Sequence, residues 1–220
     1  MNYYERAQEL NEETIANRRY FHTNAEVGLD MPKAKAYVMK KLTEYGLEPK
    51  ECGYGVTATL GHGGKCIMLR ADMDALPMPE ESGEPFACPT GKEAHACGHD
   101  FHAAMLLTAA KMLKENESEL EGTVKFMFQP AEETFAGSKK LIAAGILENP
   151  KVDAAVGMHV MLDSSKPALN YGLGYMTSSC DGFKITVHGN GCHGAMPELG
   201  IDPINVGLHI YSAFSEPDRT

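Results

Sequence analysis

Metal-binding residue types are concentrated in one short segment of the chain. HACGHDFH places His95, Cys97, His99, Asp100 and His102 close together. Imidazole and thiolate are the ligands that zinc and similar transition metals prefer. A histidine-rich surface loop or a redox thiol is the alternative, although the C-x-x-C pair that redox chemistry favours is absent. The segment therefore favours a metal site.

Three other segments carry carboxylates or histidine, and each follows a predicted strand. In chain order they supply Asp72 and Asp74, Glu132 and Glu133, and His159. Taken singly, these residues are typical of solvated turns or of a buried histidine. Sites in open α/β sheets form beyond the carboxyl ends of the strands, so we expect the segments to converge. On an extended chain the two glutamates point apart, one toward a metal and one toward the reacting water.

The four segments together offer more ligands than one tetrahedral zinc needs. They contain one thiolate, at least two imidazoles and up to four carboxylates. Two cations ~3.5–4 Å apart would use this set and share a bridging hydroxide as nucleophile. Metal coordination lowers the pKa of water from 15.7 to ≈ 7, and a neighbouring carboxylate can carry its proton.

Strands that alternate with helices must position these groups. A hairpin is expected from Val56–Leu60 and Cys66–Leu69, joined at residues 61–64, followed by strands Thr123–Phe128 and Val152–Val160. The last is a nearly continuous apolar run, typical of a strand buried on both faces. Helices are expected over Tyr3–Phe21, from Pro32 to Gly46, from a cap at Asp100, and over Gly137–Leu147. The pattern predicts an α/β fold with a mixed, largely parallel sheet flanked by helices.

The texture of the sequence changes near Ser179–Asp181. Phe183, Ile185 and Val187 alternate with polar residues, which predicts a half-solvated antiparallel strand, and a helix is expected over Asp202–Phe214. We therefore predict one domain over residues 1–180, which carries the four candidate ligand segments. A second domain is predicted to begin in residues 181–220.

Composition excludes several kinds of partner. The 220 residues carry 20 basic and 30 acidic side chains, a formal charge of −10. This charge excludes nucleic acid, whose binding needs a basic face. No run of ~18 apolar residues occurs, so no membrane partner is expected, and the first residues do not resemble a signal peptide. Six scattered cysteines then indicate free thiols, and we expect a cytoplasmic protein.

The order of the motifs resembles a known family. RADMDALP, HACGHD, QPAEE, GMH and GCHGAMPELGIDPI are similar to those of N-acyl-amino-acid amidohydrolases. That family includes hippurate and auxin-conjugate hydrolases, within the aminoacylase and carboxypeptidase superfamily of dimetal peptidases. The resemblance runs from about Arg18 to Ile204. It implies a dimetal catalytic domain with a lid and dimerisation domain, a homodimer, and a small N-acyl amino acid or peptide-like substrate. Two divalent metal ions (Mn, Zn, Co or Ni) are implied as cofactors.

The resemblance also implies roles for individual residues. Metal ligands would be Cys97, His99, Glu133 and His159. Glu132 would be the general base that activates the bridging water, and Asp74 would orient a metal-binding side chain. His193, in the second domain, would polarise the scissile carbonyl, often across a dimer interface. Asp72 stands where relatives outside this subfamily have a ligand histidine, a duty that Cys97 takes over here. We interpret His209, within a predicted helix, as structural.

Some positions depart from the family pattern. Ala25 replaces a common proline and Glu198 a common histidine, both away from the proposed chemistry. The chain stops at SEPDRT, before the last ligand histidine that the family supplies, so we expect either a fragment or a natural truncation. The main hypothesis is a metal-dependent amidohydrolase or its N-terminal part. The alternatives are a non-catalytic metal-binding relative and a thiol protein that uses Cys97.

Overall fold

The computed structural model describes residues 1–161, 168–177 and 179–215. The chain divides into two compact units, Met1–Ser164 and Ser165–Thr220. This division falls before the domain boundary predicted at residues 180/181, and the functional assignment of the two domains stays a prediction. Most of the SEPDRT ending, residues 216–220, lies outside the described residues. No helix in the described part of the chain is long and apolar enough to span a membrane.

The described residues of the first unit form five α-helices, a short 3-10 helix (Glu117–Glu119) and five strands. The helices are α1 (Tyr3–Glu9), α2 (Asn11–Thr23), α3 (Pro32–Glu44), α4 (His99–Glu115) and α5 (Gly137–Ala143). The strands are β1 (Lys50–Cys52), β2 (Gly55–Gly61), β3 (Cys66–Asp72), β4 (Thr123–Gln129) and β5 (Ala154–Gly157). The first predicted helix is interrupted at Leu10, which separates α1 from α2.

All five strands form one mixed sheet in the order β1-β2-β4-β3-β5. The pairs β1–β2 and β2–β4 are antiparallel, whereas β3 is parallel to both β4 and β5. The predicted α/β class, a mixed sheet flanked by helices, is confirmed. The three strands that precede the candidate ligands are those that run parallel, so their carboxyl ends share one edge.

The predicted hairpin between the second and third strands is wrong. Strand β4 lies between β2 and β3 and pairs with both. All seven residues of β4 are buried, so the most buried of the three strands occupies the centre of the sheet. Residues 61–64 are therefore a connection between strands that are not neighbours.

The prediction that the strand within Val152–Val160 is buried on both faces is also wrong. Strand β5 covers Ala154–Gly157, and all four residues are exposed. Among the described strands it pairs only with β3, at the edge of the sheet. An apolar run alone does not distinguish a central strand from an edge strand.

Alternation along β4 supplies both faces of the sheet with a core. Phe126 and Phe128 pack in the main cluster with residues of α3 and α4, including Leu42 and Leu107. Met127 points the other way, into a smaller cluster with Leu141 of α5. Side chains of successive strand residues alternate between the faces, so one central strand joins both layers.

Helix α3 ends as the sequence predicts. Gly46 has a φ of 82°, a left-handed conformation that glycine adopts without steric cost. The Leu47 amide donates to the Leu42 carbonyl at 3.0 Å, and the Gly46 amide donates to Thr43. These bonds close the helix in a Schellman-type end.

The second unit is described separately. Its helix α6 (Pro203–Ser215) is capped by Asp202, whose Oδ1 accepts the amide of Ile204 at 2.9 Å. The predicted strand over 183–187 is absent from the described residues. Phe183 nevertheless packs on Phe214 of α6 with ring centroids 5.1 Å apart. Phe183 of the alternating pattern thus lies against the helix, but no neighbouring strand is found among the described residues.

Lys125, on the side of β4 opposite Phe126, is a buried cation in the smaller core. Its side chain is almost fully buried, and Nζ donates to the carbonyls of Ile146, Glu148 and Pro150 at 3.0, 2.8 and 2.7 Å. Burial lowers the pKa of Lys125. Because one ammonium serves three carbonyls, it fastens the segment after α5 to the sheet.

Replacing Lys125 with methionine should destabilise the first unit. Lys125→Met keeps most of the apolar stem but removes the donor of three carbonyls, so we expect a loss of about 1–3 kcal/mol in the free energy of unfolding. Urea denaturation followed by circular dichroism measures it. Lys40→Met, at an exposed position of α3, is the matched control. Equal urea midpoints for both variants would contradict this account of Lys125.

Candidate metal centre

The candidate ligands meet where β3, β4 and β5 end. These strands are parallel, so the segments that follow them leave the sheet at the same edge. Helix α4 begins at this edge with His99, directly after Gly98, whose φ of 88° turns the chain into the helix. The arrangement brings together residues that are up to 87 positions apart in the sequence (Asp72 to His159).

His99 lies at the centre of the cluster and is fully buried. Its Nδ1 lies 2.8 Å from the Asp74 carbonyl oxygen, which can only accept, so Nδ1 carries the proton. Its Nε2 has no hydrogen-bond partner. This nitrogen lies 3.8 Å from Asp72 Oδ2, 3.9 Å from Glu132 Oε2 and 3.9 Å from Glu133 Oε1. Its lone pair is therefore directed at a space bordered by three carboxylates.

The charge around His99 is strongly negative. Burial lowers the pKa of His99, but the hydrogen bond with Asp74 and the charge of Asp72 outweigh it, so the pKa is raised above its usual value. A raised pKa means that the surroundings favour positive charge at this point. A bound cation would meet the same demand.

Cys97 and His159 form the outer side of the cluster. Cys97 Sγ lies 3.5 Å from His159 Nε2. His159 Nδ1 lies 2.7 Å from the Val160 carbonyl oxygen and donates to it, which leaves Nε2 as the acceptor nitrogen. Burial, with the nearby charge of Glu133, raises the pKa of Cys97 to about 11. The thiol is thus protonated at neutral pH and would ionise when it binds a metal.

The two glutamates lie in a turn and not on an extended chain. The turn covers residues 132–135, after Ala131 in the left-handed region with a φ of 51°. Both carboxylates therefore approach the same nitrogen of His99, contrary to the expectation that they point apart. Glu132 is the more exposed of the two, with 35% of its side chain accessible against 24% for Glu133.

Asp74 joins the segments that carry the ligands. Its backbone carbonyl accepts from His99, its Oδ1 lies 3.3 Å from His99 Nδ1, and its Oδ2 accepts the Glu133 amide at 3.1 Å. The residue is 1% exposed. It therefore fixes the ring orientation of His99 and the start of the glutamate turn together.

Asp72 and His102 belong to the same cluster, and the sequence analysis placed His102 in the ligand-rich segment without giving it an individual role. Asp72 Oδ1 accepts from His102 Nδ1 at 2.5 Å, and Asp72 Oδ2 lies 2.7 Å from Arg70 Nη1. His102 follows His99 by three residues, which places both on one face of α4. That helical spacing was the available signal.

The remaining groups of HACGHDFH serve a different network. The prediction that Asp100 caps α4 is wrong. Asp100 lies within the first turn of the helix. Its Oδ2 accepts from Arg18 Nε at 2.9 Å and from His22 Nδ1 at 2.7 Å, while His22 Nε2 lies 2.8 Å from Glu80. His95 packs beside His22, with ring centroids 6.1 Å apart, and burial lowers its pKa to about 4. We call Arg18, His22, Glu80 and Asp100 the ionic cluster.

His193 lies in the second unit. The Ala195 amide donates to its Nδ1 at 3.2 Å, and its carbonyl accepts from Met196. These are local contacts of a turn. Its predicted role at the substrate stays a prediction.

The donor set fits divalent transition metals. Three overlapping groups have ligand atoms within 4.8 Å of one another: Cys97, His99 and His159; Asp72, His99 and His102; and His99, Glu132 and Glu133. Thiolate, imidazole and carboxylate together suit zinc and its neighbours. His99 is shared by all three groups, and its buried Nε2 has no hydrogen-bond partner. A mixed α/β sheet with such a cluster at its carboxyl edge is characteristic of a metallohydrolase.

The comparisons with known proteins agree. The model of peptidase family M20/M25/M40 matches residues 68–213, and the chain belongs to this family. N-acetyl-L-cysteine deacetylase of Bacillus subtilis is 39% identical over 199 residues, 89% of this chain and 47% of that protein. Hippurate hydrolase of Campylobacter jejuni is 40% identical over 191 residues, 85% and 49% of the two chains. The resemblance seen in the motifs is thereby confirmed.

A solved structure supports the same assignment. The YXEP protein of Bacillus subtilis, described as a dinuclear metal binding peptidase from the M20 family, matches with a TM-score of 0.67 and 37% identity. The match covers 71% of this chain and 45% of that one. The chain spans about half the length of the curated relatives it matches.

The ionic cluster should make stability depend on pH. The hydrogen bond to Asp100, opposed by burial and assisted by Glu80, raises the pKa of His22. Stabilisation by the protonated ring is therefore complete below the unfolded pKa of about 6.5 and is lost as pH rises through the higher folded pKa. We expect His22→Gln to reduce the free energy of unfolding by about 1–3 kcal/mol at pH 6 and by less at pH 9.

Urea denaturation of both proteins between pH 6 and 9 measures this difference. The carboxylates stay ionised throughout this range, and the other histidines are common to both proteins, so the difference between the two proteins reports on His22. His62→Gln, at an exposed turn position, is the control. A pH-independent difference between wild type and His22→Gln would refute the charged bridge.

Proposed function

We propose that this chain is a metal-dependent amidohydrolase, or the N-terminal part of one, that cleaves the amide bond of N-acyl amino acids. The observation that carries the proposal is the free, buried Nε2 of His99, surrounded by a thiol, a second imidazole and three carboxylates. The names of the relatives, an N-acetyl-L-cysteine deacetylase and a hippurate hydrolase, support the substrate class. The substrate would be a small N-acyl amino acid or a short peptide-like molecule.

Two divalent ions would be held by Cys97, His99, Glu133 and His159. Their identity is proposed to be Mn, Zn, Co or Ni, because the mixed donor set suits each of them. The ions would lower the pKa of a shared water to about 7 and polarise the substrate carbonyl. Asp72 lies close enough to His99 to add negative charge to the site.

Glu132 is the proposed general base. It is the more exposed glutamate and lies at the cluster, so it can receive a proton from the attacking water and return it to the leaving amine. Asp74 holds His99 with Nε2 directed inward, and it holds Glu133 through the backbone. The products are a carboxylate and a free amino acid.

Further proposals concern the second unit and the assembly. We propose that residues 181–220 begin a lid and dimerisation domain, and that His193 stabilises the oxyanion of the attacked carbonyl. We also propose a homodimer, on the basis of the same resemblance, and a cytoplasmic location, on the basis of the free thiols. Light scattering during size-exclusion chromatography tests the dimer, and a monomeric mass would refute it.

Neighbouring glutamates give a matched test of the chemistry. Glu132→Gln should keep the bound metal but lower hydrolysis of N-acetyl and N-benzoyl amino acids by about 10²–10⁴-fold, because it removes the proton acceptor. Glu133→Gln should lower metal content, since it removes a ligand. Metal is measured by plasma mass spectrometry after incubation with Mn²⁺, Zn²⁺ or Co²⁺, and turnover by release of free amine.

Three results would contradict the proposal. Wild-type chain that retains no divalent ion after desalting would remove its basis. Metal retained without hydrolysis of any substrate in the panel would leave a metal-binding protein and reject the catalytic part. Oxidation of Cys97 without metal would favour a thiol function instead.

A further inference from the structure

His102 connects two ligand-bearing segments through its two ring nitrogens. Its Nε2 accepts the backbone amide of Val160 at 2.9 Å. Because an amide can only donate, Nε2 is unprotonated and the ring proton is on Nδ1, which donates to Asp72 Oδ1 at 2.5 Å. Val160 directly follows His159, and its carbonyl accepts from His159 Nδ1 at 2.7 Å. Val160, which donates to His102, thus also orients the His159 ring.

The other end of this chain of contacts is fixed to the sheet. Asp72, at the end of β3, lies 2.7 Å from Arg70 Nη1, and Arg70 Nε donates to Gln129 Oε1 at 3.0 Å. Gln129 is the last residue of β4. The contacts therefore run from the central strands through His102 to the segment after β5. Asp72 and His102 are both at least 97% buried, so solvent cannot replace these bonds.

The His102 ring also lies against the ring of His159. Their centroids are 4.5 Å apart and the planes are inclined by 68°. The edge strand β5 is exposed and pairs with β3 alone among the described strands. The sheet thus gives the segment after β5 support from one side only, and His102 supplies support from α4.

We infer that His102, held by Asp72, is a positioning residue that sets the orientation of His159 for metal binding by fixing the backbone of Val160. The inference rests on the proposed metal site. It assigns no metal to His102, because both ring nitrogens are already engaged, one as donor and one as acceptor. His99, on the same face of α4, differs in that its Nε2 has no partner.

Two isosteric variants separate the contacts of His102. In His102→Gln, the side-chain amide can place its oxygen near the position of Nε2 and accept from Val160. In His102→Asn, the shorter amide can place its nitrogen near Nδ1 and donate to Asp72, but it cannot reach Val160. If His102 acts through Val160, His102→Gln should resemble the wild type and His102→Asn should not.

Binding of Co²⁺ alone measures the effect without any need for turnover. Loss of a partner that orients a ligand typically weakens metal affinity ~10–100-fold, so we expect that loss for His102→Asn, with the number of bound ions unchanged. Isothermal titration gives affinity and stoichiometry. The visible spectrum of bound Co²⁺ should shift in His102→Asn, since the geometry of a ligand changes, and return to the wild-type spectrum in His102→Gln.

Each alternative gives a different pattern. Loss of one ion from both variants would make His102 a ligand and overturn the inference, as would unchanged affinity and spectrum in His102→Asn. If His102→Asn does not fold, as judged by circular dichroism, His102→Gln decides: a wild-type spectrum and affinity support the inference, and a lost ion overturns it. Failure of the wild type to bind Co²⁺ would reject the metal site itself, which is a separate result.

Discussion

The structure depends on holding acidic groups and imidazoles together where water has little access. Asp72, Asp74 and His99 are each at most 1% exposed. Charges in such surroundings are strongly unfavourable unless they are paired or bind a cation. His102 and the Glu133 amide each donate to one aspartate oxygen, and Arg70 forms an ion pair with Asp72, whereas Asp72 Oδ2 and Asp74 Oδ1 have no hydrogen-bond partner. A bound cation would therefore be most favourable near the free nitrogen of His99.

The sheet brings these acidic groups and imidazoles to one place. Parallel pairing of β3 with β4 and β5 brings three chain segments to one edge, and the start of α4 adds a fourth. Because β4 is central and buried on both faces, the cluster lies at the end of the most buried strand of the sheet. The edge strand β5 precedes His159 and pairs with β3 alone among the described strands, so the contact of His102 with Val160 adds support from α4.

Residue types and strand ends were enough to predict which segments form the site. They could not predict the sheet order, because the insertion of β4 between β2 and β3 is a long-range pairing that leaves no local signal. The glutamate turn was also missed, since Ala131 adopts a left-handed conformation that is uncommon for alanine and that the sequence does not indicate. The roles of His102 and Asp72 depend on which nitrogen is protonated, and that follows only from the neighbours that the fold supplies.

The first turn of α4 shows why a motif rich in ligands is not a list of ligands. Successive helical residues are rotated by about 100°, so His99 and His102 share one face while Asp100 points away from it. Asp100 accordingly binds Arg18 and His22 of α2 and fixes the helix from behind. The orientation of His99 toward the sheet edge is thus constrained twice, by Asp74 in front and by the ionic cluster at the back. One short motif supplies both a proposed ligand and the anchor that keeps this ligand in place.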